Sequence, residues 1–127
     1  MILKMYQIIP FENFYTRIKS CVLPIKISYK FSKLARAIEQ EKTFYQSKVQ
    51  EIIEEYGERD ENGELKLTDD KTAFVIKEDK VLECQQKMNE LLELEIDIEE
   101  IKFSIDDLED LKRSPQEMDA LIPFIAE

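Results

Sequence analysis

The chain has no histidine and no tryptophan, only two glycines, four prolines and two cysteines in 127 residues. Each shortage excludes something. Without histidine there is no commonest general base, no commonest zinc ligand, and no serine or cysteine triad. The two glycines form neither a phosphate-binding P-loop nor a dinucleotide fingerprint. Cys21 and Cys84 lie far apart and fit no metal spacing, so two free thiols in a reducing compartment are expected. No run approaches the roughly 18 uninterrupted apolar residues of a membrane helix. The start, Met1-Ile2-Leu3-Lys4-Met5-Tyr6, is too short and too mixed for a signal peptide. Low apolar content is not among the shortages. Hydrophobic residues make up 43% of the chain, which separates it from acidic disordered chains.

Charge is present in quantity and unevenly placed. The chain holds 18 Lys+Arg and 28 Asp+Glu, a net charge of −10. Residues 1–50 carry nine basic and three acidic side chains, whereas residues 51–127 carry nine and 25. A basic front of +6 therefore precedes an acidic back of −16. The net charge disfavours nucleic acid as a ligand. The separation of sign predicts contact between the two halves, between copies, or with one oppositely charged partner.

The pattern predicts a single mainly α, α+β domain over 1–127. Residues 1–22 read as a strand and a short helix. Pro10 is placed at the first helical position, and Phe11, Phe14, Tyr15, Ile18 and Val22 form one face. Residues 24–56 read as one long amphipathic helix, about 50 Å at 1.5 Å per residue. Phe31, Ile38, Tyr45 and Ile52 recur every seven residues, but Glu41 and Lys48 occupy the would-be second core row, so a regular coiled coil is not expected. Gly57 reads as the helix stop. In residues 58–78, Asn62-Gly63 reads as a turn, and Glu64–Leu67 and Thr72–Lys77 read as two short strands of a small antiparallel ribbon flanking Thr68-Asp69-Asp70, needing support from the N-terminal strand or a partner. Residues 79–94 read as a return helix forming a hairpin with the long one, through Val81, Cys84, Met88, Leu91 and Leu92. In 95–127, strands are expected at Glu95–Ile98 and Ile101–Ser104. Short helices are expected over about 105–111 and 115–122, each opened by a serine with an acid three residues on.

The chemistry-bearing candidates are few. Glu58, Asp60, Asn62, Gly63, Leu65 and Asp69 outline a calcium loop, but Glu stands first and the short Asp stands last, so an Asn-Gly turn is the better reading. Glu95, Asp97, Glu99 and Glu100, then Asp106 and Asp107, form an acidic cluster without the groups that would make it catalytic. Lys26, Lys30, Lys33 and Arg36 share one helical face that can grip an acidic surface, the chain's own back half included. These ten residues are the expected partner-binding set. No catalytic or metal residue and no cofactor is expected. The long helix has lysines near its positive end and Glu51, Glu54 and Glu55 near its negative end, against its dipole. An antiparallel homo-oligomer would set those ends side by side.

Several phrases resemble small proteins of tailed phages and prophages of Gram-positive bacteria. They are Leu23-Pro24-Ile25-Lys26-Ile27-Ser28-Tyr29-Lys30, Glu51-Ile52-Ile53-Glu54-Glu55-Tyr56-Gly57, Leu91-Leu92-Glu93-Leu94-Glu95-Ile96-Asp97-Ile98, and the tail from Phe103 to Ile125. The resemblance implies a phage origin and a place in the host-cell cytoplasm or the virion. It transfers no active-site residue. The expected function is a non-enzymatic phage protein acting through protein–protein contacts, as an assembly factor or minor virion component. The alternative is an acidic anti-host inhibitor that mimics nucleic acid. The partner is a protein (the chain itself, a virion protein or a host protein), with no membrane.

Overall fold

The computed structural model describes residues 1–126. The fold is α+β and mainly α, with a long helix and a return helix. Six elements carry it: β1 (Ile2–Lys4), α1 (Met5–Ile18), α2 (Ile25–Tyr56), α3 (Val81–Leu92), β2 (Glu95–Asp97) and α4 (Pro115–Leu121). They divide into two compact units. One holds Met1–Lys42 and the chain from Glu95 on; the other is Thr43–Leu94.

The first unit is built around aromatic rings. Met5, Ile8, Phe11, Phe14 and Ile18 recur every three or four residues along α1 and are all buried. Ile27, Phe31, Leu34 and Ile38 form the buried stripe of the first half of α2. Phe103 and Phe124 arrive from the C-terminal segment. Phe31 lies 4.5 Å from Phe103 and Phe11 lies 5.2 Å from Phe124, measured between ring centroids. Burying each such side chain contributes roughly 1.5–3 kcal/mol, and each aromatic pair about 0.5–1.5 kcal/mol more. β1 pairs antiparallel with β2, Leu3 opposite Ile96, so the two ends of this unit are tied together.

Four expectations are corrected by the structure. Helix α1 begins at Met5, not at Pro10, which lies inside it. The Gln7 side chain accepts the Lys4 amide at 2.8 Å and secures the earlier start. Burial of Met5 and Ile8 offsets the proline's cost of about 3 kcal/mol. At its other end α1 stops at Ile18, leaving Val22 fully exposed in the connection rather than on the helix face. The expected helix over 105–111 is a single 3-10 turn, Asp106–Leu108. The Ser104 hydroxyl and the Asp107 carboxylate cap each other's amides, both at 3.1 Å, as a helix start should. The Arg113 guanidinium then takes the carbonyls of Leu108 and Leu111 at 2.6 and 2.8 Å, and the turn does not continue. The second such start does propagate. Ser114 caps the Glu117 amide at 3.1 Å, Pro115 follows, and α4 runs to Leu121. The expected strand at 101–104 is reduced to one parallel bridge, Phe103 with Ile125.

The second unit comprises the rest of α2, a ribbon and α3. α3 runs back along α2, the two flanking a groove of about 340 Å³ between Phe44, Ile52, Leu91 and Leu94. The ribbon is three short segments joined by antiparallel bridges: Arg59 with Leu65, Leu67 with Phe74, and Gly57 with Ile76. Each segment thus pairs with both others. β1 finds its strand partner in β2, within the first unit. Gly57 ends α2 as expected, but for a different reason. A Cβ there would stand 2.5 Å from the Ile53 carbonyl oxygen and 2.6 Å from Leu65 Cδ2, so close approach and not left-handed backbone demands glycine. Gly63 does adopt a positive φ of 78° in the Asn62-Gly63 turn.

Candidate functional site

Helix α2 carries Lys26, Lys30, Lys33 and Arg36 on one side, and the structure divides them into two pairs. Lys30 turns to the chain's own acidic segment: its Nζ lies 3.2 Å from Asp107 Oδ2 and donates to the Lys102 carbonyl at 2.9 Å. Lys33 does the same with Glu99, at 2.7 Å, and lies over the Tyr29 ring. Glu99 holds the Lys33 ammonium above its ordinary pKa by hydrogen bond and charge. The Asp107 carboxyl is held below the usual carboxylate range, first by the Ser104 amide and then by Lys30. Lys26 and Arg36 are exposed, and among the described residues neither meets a carboxylate or hydrogen-bond acceptor.

The acidic candidates divide in the same way. Glu99 and Asp107 are engaged, and Asp97 lies 3.5 Å from the terminal amine of Met1. Glu95, Glu100 and Asp106 point to solvent with no charged partner among the described residues. The cluster is therefore partly a cover for α2 and partly a free surface. Elsewhere Arg17 joins α1 to α4 through Glu117 at 2.6 Å and the Lys112 carbonyl at 2.8 Å.

Sequence reasoning missed the apolar residues beside these cations. Val22, Ile25 and Tyr29 are exposed to 101%, 88% and 64%, which places them among the most solvent-facing apolar side chains described. The signal was Pro24. The residue before a proline avoids helical backbone, so a helix from α1 has to end before Leu23. With Leu23, Ser28, Ser32, Lys33 and Arg36, Ile25 and Tyr29 line an open hollow of about 500 Å³.

A second surface lies in the Thr43–Leu94 unit. Of the buried apolar side chains described, only Tyr56, Cys84 and Leu91 belong to it. Phe44, Leu67, Phe74, Val81, Leu82 and Leu94 are exposed, Leu82 to 77%. The calcium outline falls in the same unit. The Asp60 carboxylate accepts the amides of Asn62 and Glu64 at 2.8 and 3.0 Å, serving its own turn, and Glu58 pairs with Lys66 at 3.6 Å. No three His, Cys, Asp or Glu side chains converge among the described residues. No described helix is long and apolar enough to cross a membrane.

Compared with protein-family models, curated proteins and solved structures, the chain matches none.

Proposed function

We propose that this chain is a non-enzymatic protein of a tailed phage or prophage that works by binding other proteins, in particle assembly or as a minor virion component, in the host cytoplasm or the virion. The carrying observation is the apolar surface of the Thr43–Leu94 unit, where six large hydrophobic side chains face solvent and three apolar ones are buried. Exposed large apolar side chains gathered in one small, thinly cored unit are what a protein-binding surface supplies. The resemblance of residues 23–125 to small phage proteins supports the setting.

The nucleic-acid mimic reading draws less support, because Glu99 and Asp107 are occupied by Lys33 and Lys30. An antiparallel pair of copies also loses part of its motive. Lys30, Lys33, Glu51 and Glu54 all have partners within the chain.

The test is site-specific cross-linking in host cells during infection or induction. A photo-reactive phenylalanine analogue replaces Leu82 in the full chain. A control carries it at Gln46, also exposed in the same unit. The expected outcome is one defined protein adduct from position 82 and none from 46. No protein adduct from position 82 overturns the reading.

A further inference from the structure

We infer that the start of α2 is a docking site for a short acidic segment of a partner protein, anchored by one aliphatic or aromatic side chain. The inference rests on the protein-binding reading above but concerns a different surface and names the chemistry of what it binds.

Between residues 17 and 42, Arg17, Lys30, Lys33 and Lys42 each meet a carboxylate of the chain. Among the described residues Lys19, Lys26 and Arg36 do not, although the chain is rich in acidic side chains. Three free positive charges thus lie in the same segment as the exposed apolar side chains of Val22, Ile25 and Tyr29. The positive end of a 32-residue helix lies at the same place, with no acidic residue in its first turn to neutralise it.

The hollow of about 500 Å³ is walled by Leu23, Ile25 and Tyr29, with Arg36 and Lys33 among its lining residues. An apolar anchor fits against the walls while flanking carboxylates reach Lys26 and Arg36. The Ser32 hydroxyl, which has no partner among the described residues, is available to a peptide backbone.

Charge also selects among anions. Duplex DNA carries one charge per roughly 1.7 Å, and an anionic membrane is a plane of charge. Either would bring many phosphates against a molecule of net charge −10 for the sake of three unpaired cations. A second copy brings −10 of its own. A peptide with three or four carboxylates matches the site without that excess.

The test uses the ¹⁵N-labelled full chain and amide chemical-shift mapping. The probes are 12-residue peptides with four Asp or Glu around a central Leu, Phe or Trp, and the same peptides with Asn and Gln. A 20-nucleotide single strand and phosphatidylglycerol vesicles are tested beside them. The acidic peptides are expected to shift amides of residues 19–36, with at least fivefold weaker binding in Lys26→Glu/Arg36→Glu and in the amide-substituted peptides. Both side chains are exposed and unpaired, so the double variant keeps its fold, checked by its unperturbed spectrum elsewhere. Absence of shifts with acidic peptides overturns the proposal. So does an equal response to oligonucleotide or vesicles, or shifts at 19–36 that vanish on diluting the protein alone. An adduct at position 82 with no peptide response leaves the protein-binding reading standing and removes only this site.

Discussion

Lys30 and Asp107 lie 77 positions apart in the chain and meet at 3.2 Å, each largely shielded from solvent. The ammonium also sits over the Phe103 ring, 5.7 Å from its centroid, so the pair closes over the aromatic core.

Replacing Asp107 by Asn is expected to cost about 1–2 kcal/mol at neutral pH, the usual worth of a charge-assisted hydrogen bond discounted for partial exposure. The pH dependence follows from the lowered carboxyl pKa. A carboxylate whose folded pKa lies below its unfolded value stabilises the fold above the unfolded pKa. That stabilisation is lost as pH falls through the folded one. Urea denaturation of both proteins should show a gap at pH 7 that closes in strong acid. A gap independent of pH refutes the pairing.

Pro10 faces solvent inside α1, where it removes one helical hydrogen bond. Pro10→Ala should stabilise the chain by about 2 kcal/mol, the helix-interior penalty less the entropy returned to the unfolded state. A raised urea midpoint with an unchanged slope is the expected result. A lowered midpoint would show that the ring's contacts along α1 and α4 matter more than the helix geometry.

Gly57→Ala and Gly63→Ala probe two different needs for glycine. At position 57 the added methyl meets backbone at 2.5 Å, so a loss of about 1–3 kcal/mol is expected from overpacking. At position 63 the space is empty and only the positive φ resists, so about 1 kcal/mol is expected. Gly63→Asn should be milder than Gly63→Ala, because Asn tolerates that backbone. Thermal unfolding of the three variants gives the order.

Asp70 organises the other ribbon turn, in which Lys71 takes a φ of 59°. Its carboxylate accepts from the hydroxyls of Thr68 and Thr72 and from the Thr72 amide, and these bonds pull its pKa down to about 2. Carboxyl carbon chemical shifts followed through acid should place its midpoint at about 2, well below the ordinary carboxylate range. The stabilisation it gives is present above the ordinary carboxylate pKa and disappears only as pH falls through about 2. A midpoint near 4 would show that the turn is not held by this side chain.

The parts readable from the sequence are those governed by local periodicity. Phe31, Ile38, Tyr45 and Ile52 recur at a fixed interval with no Gly or Pro among them, and α2 runs over 25–56. Ser114-Pro115-Gln116-Glu117 marks a helix start by bonds within four residues, and it forms one. Pro10 misled because its local preference for a helix start is weaker than the burial of Met5 and Ile8, which depends on tertiary contact. The same limit applies to the binding set. The spacing of Lys26, Lys30, Lys33 and Arg36 places them on one side of a helix. Which of them are spent on Glu99 and Asp107 depends on a C-terminal segment more than 60 residues away. The exposed Val22 was hidden by the assumption that an apolar residue near a helix end belongs to its face.

Cys21 is exposed and Cys84 is buried, and neither is in a disulfide. Burial also pushes the Cys84 thiol up, away from the reactive thiolate. The chain therefore contains its own two-channel clock. A thiol reagent marks Cys21 at once, whereas the rate at which it marks Cys84 counts how often the thinly packed Thr43–Leu94 unit opens. A bound partner covering that unit would slow the second channel and leave the first untouched.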